Sequence, residues 1–159
     1  MSKGLIPTTV VIFSCPLGQI SSVDGLLAGA ANWQDQSLLP GSLKTQIHLK
    51  QTATQTEDLV SSLNKLGSIH AEVICAGREL GTLFFLAPGL GIYRAETNQA
   101  GEILLSEDRI RAIVDGSGGN HKELQRLLRL ALGQAWDDLL EPFRAANFSD
   151  NVVLFNKAV

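Results

Sequence analysis

Hydrophobic positions recur every three to four residues across His121–Arg144, at Leu124, Leu127, Leu128, Ala131, Leu132, Ala135, Trp136, Leu139, Leu140 and Phe143. This is the i, i+3, i+4, i+7 stripe of one helix face, and it predicts a long helix as the main core element. Asn120 precedes the stripe as an N-cap, its side-chain oxygen placed to accept an orphan backbone N–H. Pro142 lacks an N–H and clashes one turn back, so the helix is expected to end or kink near Glu141. Leu128 and Leu132 lie on the stripe and Leu130 lies off it.

Upstream, the period changes. Thr8–Ser14 is β-branched and aromatic and predicts a strand buried on both faces, ended by Pro16 and Gly18. Ser21 and Asp24 resemble a capping box, opening a helix with Val23, Leu26, Leu27 and Ala30 on its stripe and running to about Trp33. Leu43–Gln51 alternates strictly: Leu43, Thr45, Ile47 and Leu49 face one way; Lys44, Gln46, His48 and Lys50 face the other. That period of two predicts a half-solvated strand. A second helix opens at Thr54 and Glu57, carries Leu59, Leu63 and Leu66, and closes at Gly67 in a left-handed C-cap. Ile69, Ala71, Val73 and Cys75 alternate as a third strand.

Strands follow at about Gly81–Leu86, Leu90–Thr97 and Glu102–Leu105, with Asn98–Gly101 as a hairpin loop. Ser106 caps a short helix faced by Ile110, Ile113 and Val114, and Asp115–Gly119 is a flexible break. Asn151–Asn156 reads as a last strand. The order β-α-β-α-β-β-β-β-α-α-β predicts an α+β two-layer sandwich: one mixed or antiparallel sheet, helices mainly on one face. The polar side of the second strand leaves the other sheet face open.

A length of 159 residues fits one domain, residues 1–159. The formal net charge of −3 argues against nucleic acid or an anionic membrane as main partner, since both select a basic face. The two cysteines, Cys15 and Cys75, lack metal-site spacing and fit two free thiols in a reducing cytoplasm. The first residues lack the long apolar core of a signal peptide, and no stretch nears the ~20 apolar residues of a membrane span. A cytoplasmic location is therefore expected.

Leu130–Arg144, LALGQAWDDLLEPFR, resembles the hallmark of an uncharacterised actinobacterial domain-of-unknown-function family, which typically reads LALGQAWDDELEPFR there. Glu107–Arg111, Leu90-Gly91-Ile92, Ala95 and Thr97 are similar to its upstream pattern. The likeness covers most of the chain and is most specific in the C-terminal half. It weakens at Ile20-Ser21-Ser22, where members often show Cys-Pro-His, so any role of that Cys and His is absent here. The resemblance supplies no activity and no catalytic residue. Genes of the family often lie beside those of bacterial type II fatty-acid synthesis, which implies a pathway and not a mechanism.

Candidate chemistry is sparse. Asp137, Asp138 and Glu141 superficially match the D-D-x-x-[DE] pattern by which isoprenoid synthases hold magnesium, but those are large all-helical proteins. Asp137 and Glu141 repel by ~0.2–0.5 kcal/mol at i, i+4, and carboxylates late in a helix oppose its dipole. A cation should offset them: an internal arginine (Arg94, Arg109, Arg111 or Arg144), a partner, or a metal ion. Gly118, Gly119 and Asn120 lead into a helix N-terminus beside Lys122, an anion-binding arrangement in principle. The stretch lacks the order of a phosphate loop, and a hinge explains it as well.

His48 and His70 fall on the polar side of their strands, with Glu72 near His70 as a conceivable acid–base pair. Cys15 ends a strand, where a nucleophile is conceivable, yet it has no assigned base and packing explains it equally. No cofactor or resident metal is implied. Without a complete catalytic constellation, the sequence favours a non-catalytic binding or accessory protein. It would dock a protein partner, such as a fatty-acid synthesis component, on the polar sheet face or the acidic helix end. The alternative is a small enzyme or metabolite-binding domain with a site at the Ser14–Ser22 loop.

Overall fold

The computed structural model describes the backbone of residues 4–158 and the side chains of residues 4–146. The elements are β1 (Ile6–Pro16), α1 (Ile20–Leu26), β2 (Gln34–Asp35), β3 (Ser42–Gln51), α2 (Ala53–Leu66), β4 (His70–Cys75), β5 (Gly81–Ala87), β6 (Gly91–Thr97), β7 (Ile103–Leu104), α3 (Glu107–Ser117), α4 (His121–Ala131) and α5 (Gln134–Ala158). The fold is α+β, with one sheet in the order β2-β3-β1-β4-β5-β6-β7. Every pairing in it is antiparallel.

Local chemistry sets the boundaries. Thr52, not Thr54, caps α2: its hydroxyl accepts from Gln55 N while the Gln55 side chain accepts from Thr52 N, a reciprocal capping box. Gly67 closes the helix at φ +77°. Ser106 caps α3 and Asn120 caps α4, as the sequence predicts. α1 stops well short of Trp33, because Ala28 and Gly29 turn left-handed. The Trp33 indole instead donates to the Asp24 carboxylate at 3.2 Å. β1 carries a bulge between Ile12 and Cys15. The buried Gln36 amide donates to the Phe13 carbonyl there at 2.7 Å, satisfying a group that the irregular ladder exposes.

Two cores form on opposite sheet faces. Val10, Ile12, Ile47, Ala71, Val73, Phe84 and Leu86 pack under α1 and α2, against Val23, Leu27, Leu59, Val60 and Leu63. On the other face Phe13, Leu83, Phe85, Tyr93 and Ala95 pack under α5, against Leu140 and Phe143. That second face was expected to be open. α5 covers it over β5 and β6, while over β3 Gln46, His48 and Lys50 stay exposed.

The region expected as one helix divides. Gly133, at φ +69°, separates α4 from α5, and a Cβ there would lie 2.8 Å from the Tyr93 ring. The Tyr93 hydroxyl donates to the Ala131 carbonyl at 2.7 Å, pinning the break to the sheet. The stripe consequently splits: Leu140 is fully buried, but Leu132, expected in the core, is exposed like Leu130. Pro142 lies inside α5 and does not end it. Asn151–Asn156, expected as a strand, lies within the helical span of α5. No glycine or proline separates that short apolar run from Arg144, and such a run fits a helix as readily as a strand.

Candidate functional site

The sheet register aligns side chains into rows on the α5 face. Val11 pairs with Gln46 on β3 and with Glu72 on β4; Glu72 pairs with Phe85, and Phe85 with Tyr93. The next row is His48, Thr9, Ile74, Leu83 and Ala95. The β5–β6 end of each row is apolar and covered. The β3–β1 end is mixed in polarity and largely uncovered, with Gln46 and His48 exposed and Val11 and Thr9 half-buried; on β4, Ile74 is exposed while Glu72 lies under Arg144.

Arg144 stands at the boundary between the two halves. Asp137, Glu141 and Arg144 follow one another at i, i+4 and i+7, on one side of α5. One guanidinium nitrogen, Nη1, bonds Asp137 at 2.5 Å and Glu141 at 3.3 Å; Nη2 reaches across to Glu72 on the sheet at 3.3 Å. The guanidinium carbon lies 5.3 Å from the Phe85 ring centre and 5.9 Å from that of Phe13. Burial pushes the Glu72 carboxyl above its ordinary value, and Arg144 pulls against that rise.

Of the arginines named from the sequence, Arg144 is thus the one that meets the acidic cluster. Asp138 lies apart, accepting from the Gln134 amide at 2.7 Å on the exposed side. Glu72 is the member that sequence spacing alone did not attach to the cluster, because only strand register brings β4 under this part of α5. Among the described residues no group of three or more His, Cys, Asp or Glu side chains is placed to hold a metal ion.

The remaining candidates separate in space. Gly118, Gly119, Asn120 and Lys122 share one exposed turn. The Asn120 side chain is spent on the Glu123 N–H, and Glu123 binds Arg126, so the first turn of α4 already carries an anionic partner. The His70 ring packs tilted against Phe143, 4.9 Å between ring centres, and burial lowers its pKa. With Glu72 engaged by Arg144, the expected His70–Glu72 pair is divided between two other partners. His48 meets the Thr9 hydroxyl at 3.1 Å on the exposed face.

In the Ser14–Ser22 loop, Ser14 and Cys15 are buried, and burial pushes the Cys15 thiol up to about 11. At neutral pH it is a protonated packing group, not a thiolate nucleophile. The Gln19 amide of that loop donates to the Leu66 carbonyl at 3.1 Å, tying it to the end of α2. A pocket of about 140 Å³ opens nearby between α2 and the β5–β6 turn, lined by Leu63, Asn64, Gly67, Ile69, Ala87 and Gly89. Its volume is well below the ~300–1,000 Å³ typical of small-molecule sites. Among the described residues no helix is long and apolar enough to cross a membrane.

A family model described as a protein of unknown function, DUF3145, matches residues 20–157. No curated protein and no solved structure matches the chain.

Proposed function

The chain belongs to the DUF3145 family of unknown function, and from that premise we propose that it is a non-catalytic binding protein that docks another protein on the uncovered half of its sheet. The observation that carries this reading is the division of one sheet face at Arg144. α5 buries the apolar half, while Gln46, His48 and Ile74 stay in solvent around the half-buried Val11 and Thr9 on adjacent strands. This patch is continuous and rigidly backed, and it mixes apolar area with hydrogen-bonding groups, the composition of a non-obligate protein interface.

The acidic cluster is the weaker docking candidate, because Arg144 already bonds Asp137 and Glu141, and Asp137 lies in the first turn of α5, where the helix dipole favours a carboxylate instead of opposing it as expected late in a helix. The Ser14–Ser22 alternative has less support, since its nucleophile candidates are buried and its Gln19 amide is bonded to α2. The LALGQAWDDLLEPFR stretch supports an actinobacterial member, and the two free cysteines support a reducing, cytoplasmic setting. The family's gene neighbourhood supports a partner in type II fatty-acid synthesis.

The test places a photo-crosslinking amino acid at Ile74, and in a control at the exposed Arg129 on α4, in the native host. A discrete adduct from Ile74 and none from Arg129 is expected. Identification of the adduct as a fatty-acid synthesis component supports the pathway, and another protein removes the pathway while keeping the docking role. Absence of an Ile74 adduct, or equal adducts at both positions, overturns the reading.

A further inference from the structure

The outer edge of β3 is paired with β2 only at Lys44 and Leu43, and its backbone groups alternate between the two sides of the strand. Ala76 N donates to Pro7 O at 3.0 Å, so Pro7 turns its backbone toward β4. In an antiparallel strand a residue's N–H and C=O share a side, and the sides alternate. Thr8, Val10 and Ile12 therefore turn toward β3, where they pair with Leu49, Ile47 and Thr45. Those three β3 residues spend their backbone groups inward, and Lys44, Gln46, His48 and Lys50 turn theirs outward.

Two contacts agree with this assignment: Gln34 of β2 pairs with Lys44, and Gln36 N donates to Ser42 O, two residues earlier on the same side. β2 pairing ends at Gln34, and the chain before it still lies along β3 as far as Asn32, whose carbonyl accepts from the Thr45 hydroxyl at 3.0 Å. Among the described residues, the outward N–H and C=O groups of Gln46, His48 and Lys50 face no strand. Their side chains are exposed too, and point to the uncovered sheet face. A row of unpaired backbone donors and acceptors is a template for an added strand.

We propose that this edge accepts an extended, acidic segment of a partner protein as an additional antiparallel strand. The inference rests on the docking role proposed above and names its geometry. Backbone pairing supplies the attachment, as in strand addition generally, and alternate side chains supply selectivity. Two residues apart on the incoming strand, side chains would stand opposite Lys50, where a carboxylate is favoured and a lysine is not, and opposite His48, an exposed imidazole able to hydrogen-bond its neighbour. Glu72, a carboxylate on this same face of the sheet, is already bound by Arg144, so it does not compete for Lys50. A second copy of this chain is disfavoured, because self-pairing brings Lys50 and His48 of both copies onto one short ribbon. Edge lysines of this kind are a known device against self-association.

The test titrates the full chain, isotopically labelled, with a synthetic ten-residue peptide alternating Glu with Thr and Val, and with the same peptide carrying Lys for Glu. Saturable amide shifts at Gln46, His48 and Lys50, with slowed hydrogen exchange there, are expected for the Glu peptide alone. His48→Pro removes an outward N–H without taking one from the β1 ladder, and should weaken binding at least tenfold. Lys50→Glu, which leaves the backbone intact, should weaken it comparably and keeps the test decisive if His48→Pro unfolds. Equal binding of both peptides, no binding, or shifts centred away from β3 overturn the proposal. Dimerisation of the chain through this edge in sedimentation also overturns it, by assigning the edge to a second copy. A crosslink from Ile74 without any response at the edge would sink this inference alone and leave the docking role standing.

Discussion

Replacing Arg144 with Met removes the cation that Glu72, Asp137 and Glu141 share. The Glu72 bond dominates, because its two side chains are 17% and 26% exposed; charge-assisted bonds of this kind contribute ~1.5–3 kcal/mol. Asp137 and Glu141 are 41% and 63% exposed, and water screens them; together they add at most about 1 kcal/mol. The methionine retains contact with Phe13 and Phe85 but forfeits the cation–ring attraction, ~0.5–1 kcal/mol per ring. The expected loss is about 4 kcal/mol, or a fall in Tm of ~8–16 °C for a chain of this size.

The loss should also depend on pH. Burial raises the Glu72 carboxyl and Arg144 lowers it. A carboxyl raised in the folded state holds its proton more tightly there. Its contribution is therefore complete below the unfolded value and is lost as pH climbs through the folded one. Without Arg144 the folded value climbs further, and the unpaired carboxylate costs most near neutrality. Thermal melts should show the largest gap between parent and variant at about pH 7, narrowing toward about pH 4 as Glu72 protonates. Glu72→Gln in the same variant should recover ~1–2 kcal/mol. An equal gap at both pH values, or no recovery, would refute the assignment of Arg144 as the cation that holds α5 to the sheet.

Three other outcomes are expected. Leu140→Ala, at a fully buried position, should cost ~2–5 kcal/mol in denaturant melts, and Leu132→Ala, 40% exposed, under about 1 kcal/mol. Gly133→Ala should cost ~1–3 kcal/mol, from a left-handed backbone and a methyl set against the Tyr93 ring, and the indicator is altered tyrosine and tryptophan fluorescence. Cys15 should alkylate slowly in the folded protein until pH nears 11, whereas thiol titration of the unfolded, unreduced chain should find both cysteines free.

Much of this architecture was legible in the chain because strict periods leave little choice. The alternation of Leu43–Gln51 named both faces of β3, and Ser106, Gly67 and Asn120 marked helix ends by local hydrogen bonding alone. The failures have a common cause, which is tertiary context. Gly133 sits inside an unbroken hydrophobic stripe, and only the approach of Tyr93 from the sheet shows why the helix stops there. Glu72 joins Arg144 because strand register carries it under α5, information that spacing along one chain segment does not contain. The pairing of Arg144 with Asp137 and Glu141 was within reach of local rules, since all three fall on one helix face; the choice among four arginines was not. The uncovered sheet half could be anticipated from Gln46, His48 and Lys50, but not its limit, which α5 sets.

The two cores on opposite sheet faces also impose an order of events during synthesis. Every buried member of the α1–α2 core lies between Val10 and Leu86. The other core needs Leu140 and Phe143. An N-terminal intermediate can thus close one side of the sheet while Leu83, Phe85, Tyr93 and Ala95 wait uncovered for some fifty further residues to emerge, several seconds at ~5–20 residues per second. During that interval the future seat of α5 is an exposed apolar surface on an otherwise formed sheet. It is the stage at which a nascent chain of this fold is most prone to aggregate and has most to gain from a chaperone.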